Sequence, residues 1–291
     1  MKLTILKSFI ICLLATGLLS AGNSKTEQRT NTKNVFQSSP VLKKDNEKGF
    51  MPLFNGKDFA DWELLLRDGT PEEIKKVYTI DEGGILHYFR DLPEGSGSDE
   101  ARKNAFHGVM ASKKSFTRYH LKFEYKWGKK LFNNFKQYQY DAGVFYHISE
   151  LKIFPVGLQY QVRYDNLENI NHSGDFWAPP GVTMQWYSAE GKTFKLPSQG
   201  GMKQPIKKGE HLAAVDAEFH GLDNEWNQCE LIVMGNEYVI QKLNGKVVNM
   251  ATGLWRSEGP IAFEAETGEI FWRNIRIKEF EETVSMETFL P

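Results

Sequence analysis

Short runs of alternating apolar and polar residues dominate the chain, and they predict strands. Cys229, Leu231 and Val233 alternate with Gln228 and Glu230, the two-residue period of a half-buried strand. Met234-Gly235-Asn236 offers a turn after it, and Asn244-Gly245 suits the positive-φ positions of a tight hairpin. Ile275 and Ile277 alternate with Arg276 and Lys278, so residues 226–280 read as an antiparallel meander. Upstream, Leu121, Phe123, Tyr125 and Trp127 share one side of a strand whose other side carries Lys122, Glu124 and Lys126. Residues 142–148 and 158–165 are two further strands, separated by a loop with Pro155. Helical character is confined to residues 71–76, with Thr70 as N-cap and Pro71 in the first position. Residues 166–209 are rich in Gly, Pro and Ser and show little periodicity, so a long surface connection is expected there. The predicted class is all-β.

The first 21 residues carry Lys2 and Lys7, an apolar run from Ser8 to Leu19, and Leu19-Ser20-Ala21 before Gly22. This is the pattern of a secretory signal peptide, and it predicts export to the periplasm or the exterior. The apolar run is short for a bilayer, and no second one approaches ~20 residues, so no transmembrane anchor is expected. Residues 22–46 are polar and read as a flexible linker, leaving residues 47–284 as the folded domain. Past the signal only Cys229 remains, so no internal disulfide is expected, and its apolar strand phase makes it a buried, inert thiol. A net charge of −1 argues against a nucleic-acid partner. Aromatic residues make up 13% of the chain, enough to fill a sandwich core and to leave some rings for stacking on sugars.

Charge placement changes the picture. In Ala262-Phe263-Glu264-Ala265-Glu266 two carboxylates share one strand face, which destabilises unless they are solvated, paired or used. Gln159, Gln161 and Arg163 share one side of their strand, and Gly143, Phe145 and His147 one side of another. If these strands lie in one sheet, Glu124, Lys126, His147, Gln161, Arg163, Glu264 and Glu266 line a charged groove. The alternative is a solvated outer sheet with incidental ion pairs.

Several motifs, in order, resemble the DUF1080 family, also called the 3-keto-disaccharide hydrolase family. Leu53-Phe54-Asn55-Gly56-Lys57-Asp58 followed by Trp62 is similar to its LFNGKDLxGW opening. Tyr125-Lys126-Trp127-Gly128 and the run from Tyr140 to His147 (YDAGVFYH) resemble YKWG and RDAGLLYH. Gly157-Leu158-Gln159-Tyr160-Gln161-Val162 and Gly174-Asp175-Phe176-Trp177 resemble xIEYQI and GDFW. Glu225-Trp226-Asn227, Leu243-Asn244-Gly245 and Phe271-Trp272-Arg273-Asn274-Ile275 are similar to EWN, LNG and FRNI. The resemblance implies a concanavalin A-like jelly-roll β-sandwich of two curved antiparallel sheets, with a ligand groove on the concave one. Two departures stand out: the family usually has Glu at the position of Gln159, and Gln or a neutral residue at that of Glu264.

The resemblance further implies a carbohydrate ligand whose C3 hydroxyl has been oxidised to a ketone. Such a ketone acidifies the C2 proton, so a base forms an enolate and the C1 oxygen leaves by elimination; water adding back completes a net hydrolysis. The site needs a base, an electrophile for the C3 oxyanion and an acid. The candidates are His147 as base or metal ligand and Glu264 or Glu266 as acid through mutual repulsion. Glu124 and Asp141 are further carboxylates. Lys126 or Arg163 would face the oxyanion. Gln159, Gln161 and Asp175 would bind substrate, and Trp177 would give a stacking platform. No cofactor is required by the motifs. A divalent metal is compatible with the electrophilic role, although no metal-ligand spacing such as HxxxH is present. His107, His172, His211 and His220 fall in loop-like segments and are expected to be solvated. A non-catalytic carbohydrate-binding module on the same fold is the alternative. A conventional endoglucanase lacks its ExDxxE-like run here, and a serine hydrolase its GxSxG elbow.

Overall fold

The computed structural model describes residues 47–97, 106–206 and 208–291. The expected signal peptide (1–21) and linker (22–46) lie outside the described residues. Two antiparallel sheets pack face to face. The larger runs in the order Thr193–Phe194, Gln185–Ala189, Lys246–Thr252, Tyr238–Leu243, Asn227–Met234, Arg118–Leu131, Gly268–Glu279, Ile85–Tyr88, Tyr78–Asp81. The smaller runs Gly209–His211, Phe176–Ala178, Val156–Asp165, Tyr140–Glu150, Ala262–Ala265, Gly108–Ser112, Trp62–Leu66. The fold is the all-β, concanavalin A-like jelly-roll sandwich implied by the motifs.

Alternation along the strands builds the core. Phe123, Tyr125 and Trp127 leave the larger sheet toward the smaller and are buried. Phe123 meets Tyr160 and Phe263 of the opposite sheet edge-on at 5.5 and 5.8 Å, and Trp272 meets Phe263 at 5.2 Å. Such edge contacts add about 0.5–1.5 kcal/mol each beyond area burial. Cys229 sits in this core as a free thiol, and burial pushes its pKa up, so it is unreactive.

Local signals behave as expected where they are strong. Asn244 and Gly245 both have positive φ (47° and 82°), closing the hairpin between Tyr238–Leu243 and Lys246–Thr252. The helix is Pro71–Val77, and Thr70 and Glu73 cap each other reciprocally at its start. The expected long connection at 166–209 differs. It contributes Ile170–Asn171, Phe176–Ala178, Gln185–Ala189, Thr193–Phe194 and Met202–Pro205, which extend the sheets. Strands of two to five residues are too short to show a period. Among the described residues no helix is long and apolar enough to cross a membrane.

Candidate functional site

The smaller sheet gives Tyr160, Val162 and Tyr164 to the core, so Gln159, Gln161 and Arg163 emerge on its outer face. Cross-strand register then assembles that face. Arg163 stands opposite Asp141, and Gln161 opposite Gly143. Gln159 stands between Phe145 and Trp177, and Trp177 opposite Glu210. Glu264 pairs with Val109, and Ala262 lies between Phe145 and Ala111. The face carries an apolar patch of Val109, Ala111, Phe145, Ile148 and Ala262, with the ionisable groups beside it.

Most polar groups there are held by another. The Gln159 amide donates to Glu264 Oε2 at 2.6 Å, and the Gln161 amide donates to Asp141. Arg163 pairs with Glu210, and its other terminal nitrogen lies 3.7 Å from Asp141 Oδ2. The Tyr138 ring lies 4.2 Å from the same guanidinium. Glu266, just past the end of its strand, has His107 Nε2 3.6 Å away. Gln159, Gln161, Arg163 and Glu264 are buried; the Glu266 and Asp141 side chains keep 15% and 14% of their exposure, so both are more open to a ligand than Glu264.

Burial and mutual repulsion raise all three carboxyl pKa values well above the ordinary range. For Asp141 the cause is burial and then Glu266; for Glu264, burial and then Asp141. For Glu266 it is burial and then Glu264, opposed by Arg163 and Arg67. Like charges so close do not all ionise together, so the group titrates as a coupled set. An acid and a base in one site at neutral pH follow from such a shared set.

Other expected residues go elsewhere. Glu124 and Lys126 lie on the larger sheet, across the core from this face. Glu124 accepts from Arg273 at 2.6 Å and Asn274 at 2.8 Å, and Lys126 donates to Asn224 and packs on Trp226 and Phe271. The pairing of sheets in space, not alternation within a strand, decides this. His147 also leaves the groove. The register slips between Tyr146 and Glu150, and His147 takes φ 51°. This β-bulge breaks the alternation that would align it with Gly143 and Phe145. Its Nε2–H instead donates to the Gly235 carbonyl at 2.9 Å, in full burial, and burial lowers its pKa to about 4. Asp175 is spent on structural contacts, accepting from the Ala213 amide at 2.6 Å and facing His172 of its own loop at 3.0 Å. Trp177 remains half-buried on the groove face, beside Gln159.

Arg67, His107, Tyr138 and Glu210 also join the site. His107 and His211 are buried, contrary to the expected solvation. Leu65 and Leu66 set the strand phase that points to Arg67, but no pattern in the sequence marks His107 or Glu210. Among the described residues, no three His, Cys, Asp or Glu side chains are grouped as a metal-holding set.

The chain matches a family described as a 3-keto-alpha-glucoside-1,2-lyase-like domain over residues 49–278. No curated protein matches it. A crystal structure from Parabacteroides distasonis, provisionally assigned as a glycosyl hydrolase, is 19% identical, with 80% of this chain and 94% of that one covered at a TM-score of 0.46. A Bacillus licheniformis beta-glucanase is 10% identical, with 80% and 100% covered at 0.44. A carbohydrate binding module from Bacillus subtilis is 11% identical, with 59% and 81% covered at 0.34. At such identities and TM-scores none of them says what this chain acts on. The family match extends through both sheets and includes every carboxyl of this face, and the chain belongs to the 3-keto-alpha-glucoside-1,2-lyase-like domain family.

Proposed function

We propose that the protein is an exported carbohydrate-active enzyme that cleaves 3-keto-glycosides by elimination, with water addition completing a net hydrolysis. The observation that carries this reading is the clustering of three carboxyls, Asp141, Glu264 and Glu266, beside Arg163 on one sheet face, where they do not all ionise together. Export rests on the pattern of residues 1–21.

In this reading Glu266, ionised and more exposed than the protonated Glu264, removes the C2 proton as the C3 carbonyl becomes an enolate. Arg163, fixed by Glu210 and Tyr138, faces the enolate oxygen. The enolate collapses, the C1–O bond breaks, and the buried Glu264 gives its proton to the leaving oxygen. Water then adds at C1, giving a proton to Glu264 while Glu266 returns one to C2, so both acids are restored. Trp177 supplies an apolar face for the sugar ring. Release of the enone before water adds would make the same steps a lyase reaction.

A second reading, a binding module without chemistry, is favoured by one fact: Asp141 and Glu264 each already accept from an amide. The deciding experiment incubates the purified protein with a 3-keto-glucoside and its unoxidised parent, with and without EDTA, and follows aglycone release. Release from the keto sugar alone supports elimination, and its loss with EDTA adds a divalent metal as electrophile. Equal release from both sugars overturns the reading. Saturable binding without turnover favours the binding module.

A further inference from the structure

The far end of the acidic row holds a buried imidazole that the mechanism above does not use. His107 keeps only 5% of its side-chain exposure. Neither ring nitrogen has a hydrogen-bond partner among the described residues. Nε2 lies 3.6 Å from Glu266 Oε1, just outside bonding range. The ring is fixed edge-on by Phe154, whose centroid is 5.2 Å away, and the Arg67 guanidinium lies over the same Phe154 ring at 5.0 Å.

We propose that His107 is a positioning residue for Glu266: its Nε2–H donates to the Glu266 carboxylate once that carboxyl gives up its proton, holding Glu266 ready as the base. This inference rests on the elimination reading for its catalytic consequence, though the pairing itself does not.

Three features argue for it. Burial, and then the positive charge of Arg67, lower the His107 pKa to about 3, so the ring is neutral and carries one N–H. The nitrogen turned toward Glu266 is Nε2, so the Nε2–H tautomer alone gives that contact a donor. A buried donor left without an acceptor is destabilising, and a carboxylate a few tenths of an ångström closer removes that penalty. Catalytic hydrogen bonds are commonly long without ligand and tighten with it. Arg67 and Arg163 also favour the Glu266 anion, while Glu264 and burial oppose it. His107 is the neutral donor on the side facing Glu266.

The test uses the full-length protein and three variants. H107Q keeps an N–H near the Nε2 position; H107N withdraws it; H107F removes it. The first readout is a carbon-13 NMR titration of the glutamate carboxyls, with Glu266 assigned through E266Q. Losing a donor to the charged form raises the pKa of Glu266, by about one unit, a tenfold change in its proton affinity, in H107N and H107F. H107Q is expected to titrate within a few tenths of the wild type. The second readout is the acid limb of kcat/KM on a 3-keto-glucoside, which moves up in pH by the same amount in H107N and H107F. A Glu266 titration unchanged in a folded H107N protein overturns the proposal, as does an H107Q variant that shifts as far as H107F. If the wild type releases no aglycone, the elimination reading fails by itself, and the NMR titration still decides the pairing.

Discussion

The side-chain amide of Gln159 donates to Glu264 at 2.6 Å, reaching across Gly143 from one strand to another. The family pattern places the acid at the first position and a neutral residue at the second. This chain keeps one acid and one amide in contact but exchanges their ends, so the pair still has one donor and one acceptor. The contact makes the two departures testable as one coupled change. Replacing Glu264 by Gln is expected to lower kcat/KM on a 3-keto-glucoside by 10²–10⁴, the usual contribution of a positioned acid. The exchanged double variant, Gln159→Glu with Glu264→Gln, is expected to recover at least tenfold over that single variant. A double variant no better than Glu264→Gln would show the two sites to be independent.

Gly143 gives this pair its room. A Cβ there would fall 2.1 Å from Gln159 Nε2 and 2.6 Å from its Cδ. Its φ lies outside the left-handed region, so the backbone accepts alanine and the strain falls on the Gln159 side chain. Gly143→Ala is expected to cut kcat/KM at least tenfold, with a modest fall in Tm because Gln159 is displaced from Glu264. Unchanged kinetics would mean that the amide bridge plays no part in turnover.

Much of the fold was readable because its signals are local. The alternation of Leu121, Phe123, Tyr125 and Trp127, and the Asn244-Gly245 turn, need only neighbours in sequence. The groove was readable in part. Gln159, Gln161, Arg163, Glu264 and Asp141 meet because each strand keeps its phase and the strands are adjacent. Glu124 and Lys126 have the same phase signal on the other sheet, and phase alone does not tell one sheet from its partner. His147 departs from its expected face because a bulge reverses a side chain without a residue type that announces it. His107 follows a segment with no alternation, and its burial comes from Phe154, a contact distant in sequence.

The acidic cluster sets a stability trend with pH. Asp141, Glu264 and Glu266 hold protons in the native state above the pH at which they lose them in the unfolded chain. The native state then binds more protons than the unfolded one, so the contribution of the cluster falls as pH rises above about 4.5. Glu264→Gln removes one such group while keeping a polar side chain for Gln159. The variant is expected to gain stability relative to wild type between pH 5 and pH 8, measured by urea unfolding at both. A difference that is constant over this range would mean that Glu264 is ionised throughout.

Glu269, on the opposite sheet, is expected to show the reverse trend. Burial pushes its carboxyl up, but the hydrogen bonds from His87 at 2.9 Å and from the Lys129 and Lys130 amides outweigh it, and the pKa falls to about 2. A depressed carboxyl contributes stability above its unfolded value, and that contribution is lost as pH falls toward the folded value. The drop from 4.5 to about 2 corresponds to on the order of 3 kcal/mol at pH 7. By pH 3.5 the same relation leaves about 2 kcal/mol. Glu269→Gln is therefore expected to destabilise most at neutral pH and less in acid, with His87, wedged between Asp81 and Glu269, losing one of its two carboxylate partners. Because this network lies across the core from Gln159 and Glu264, the variant is expected to leave turnover of a 3-keto-glucoside within about twofold of wild type at temperatures where it is folded. A large kinetic loss in the folded variant would place the chemistry on the larger sheet and remove the acidic groove from the mechanism.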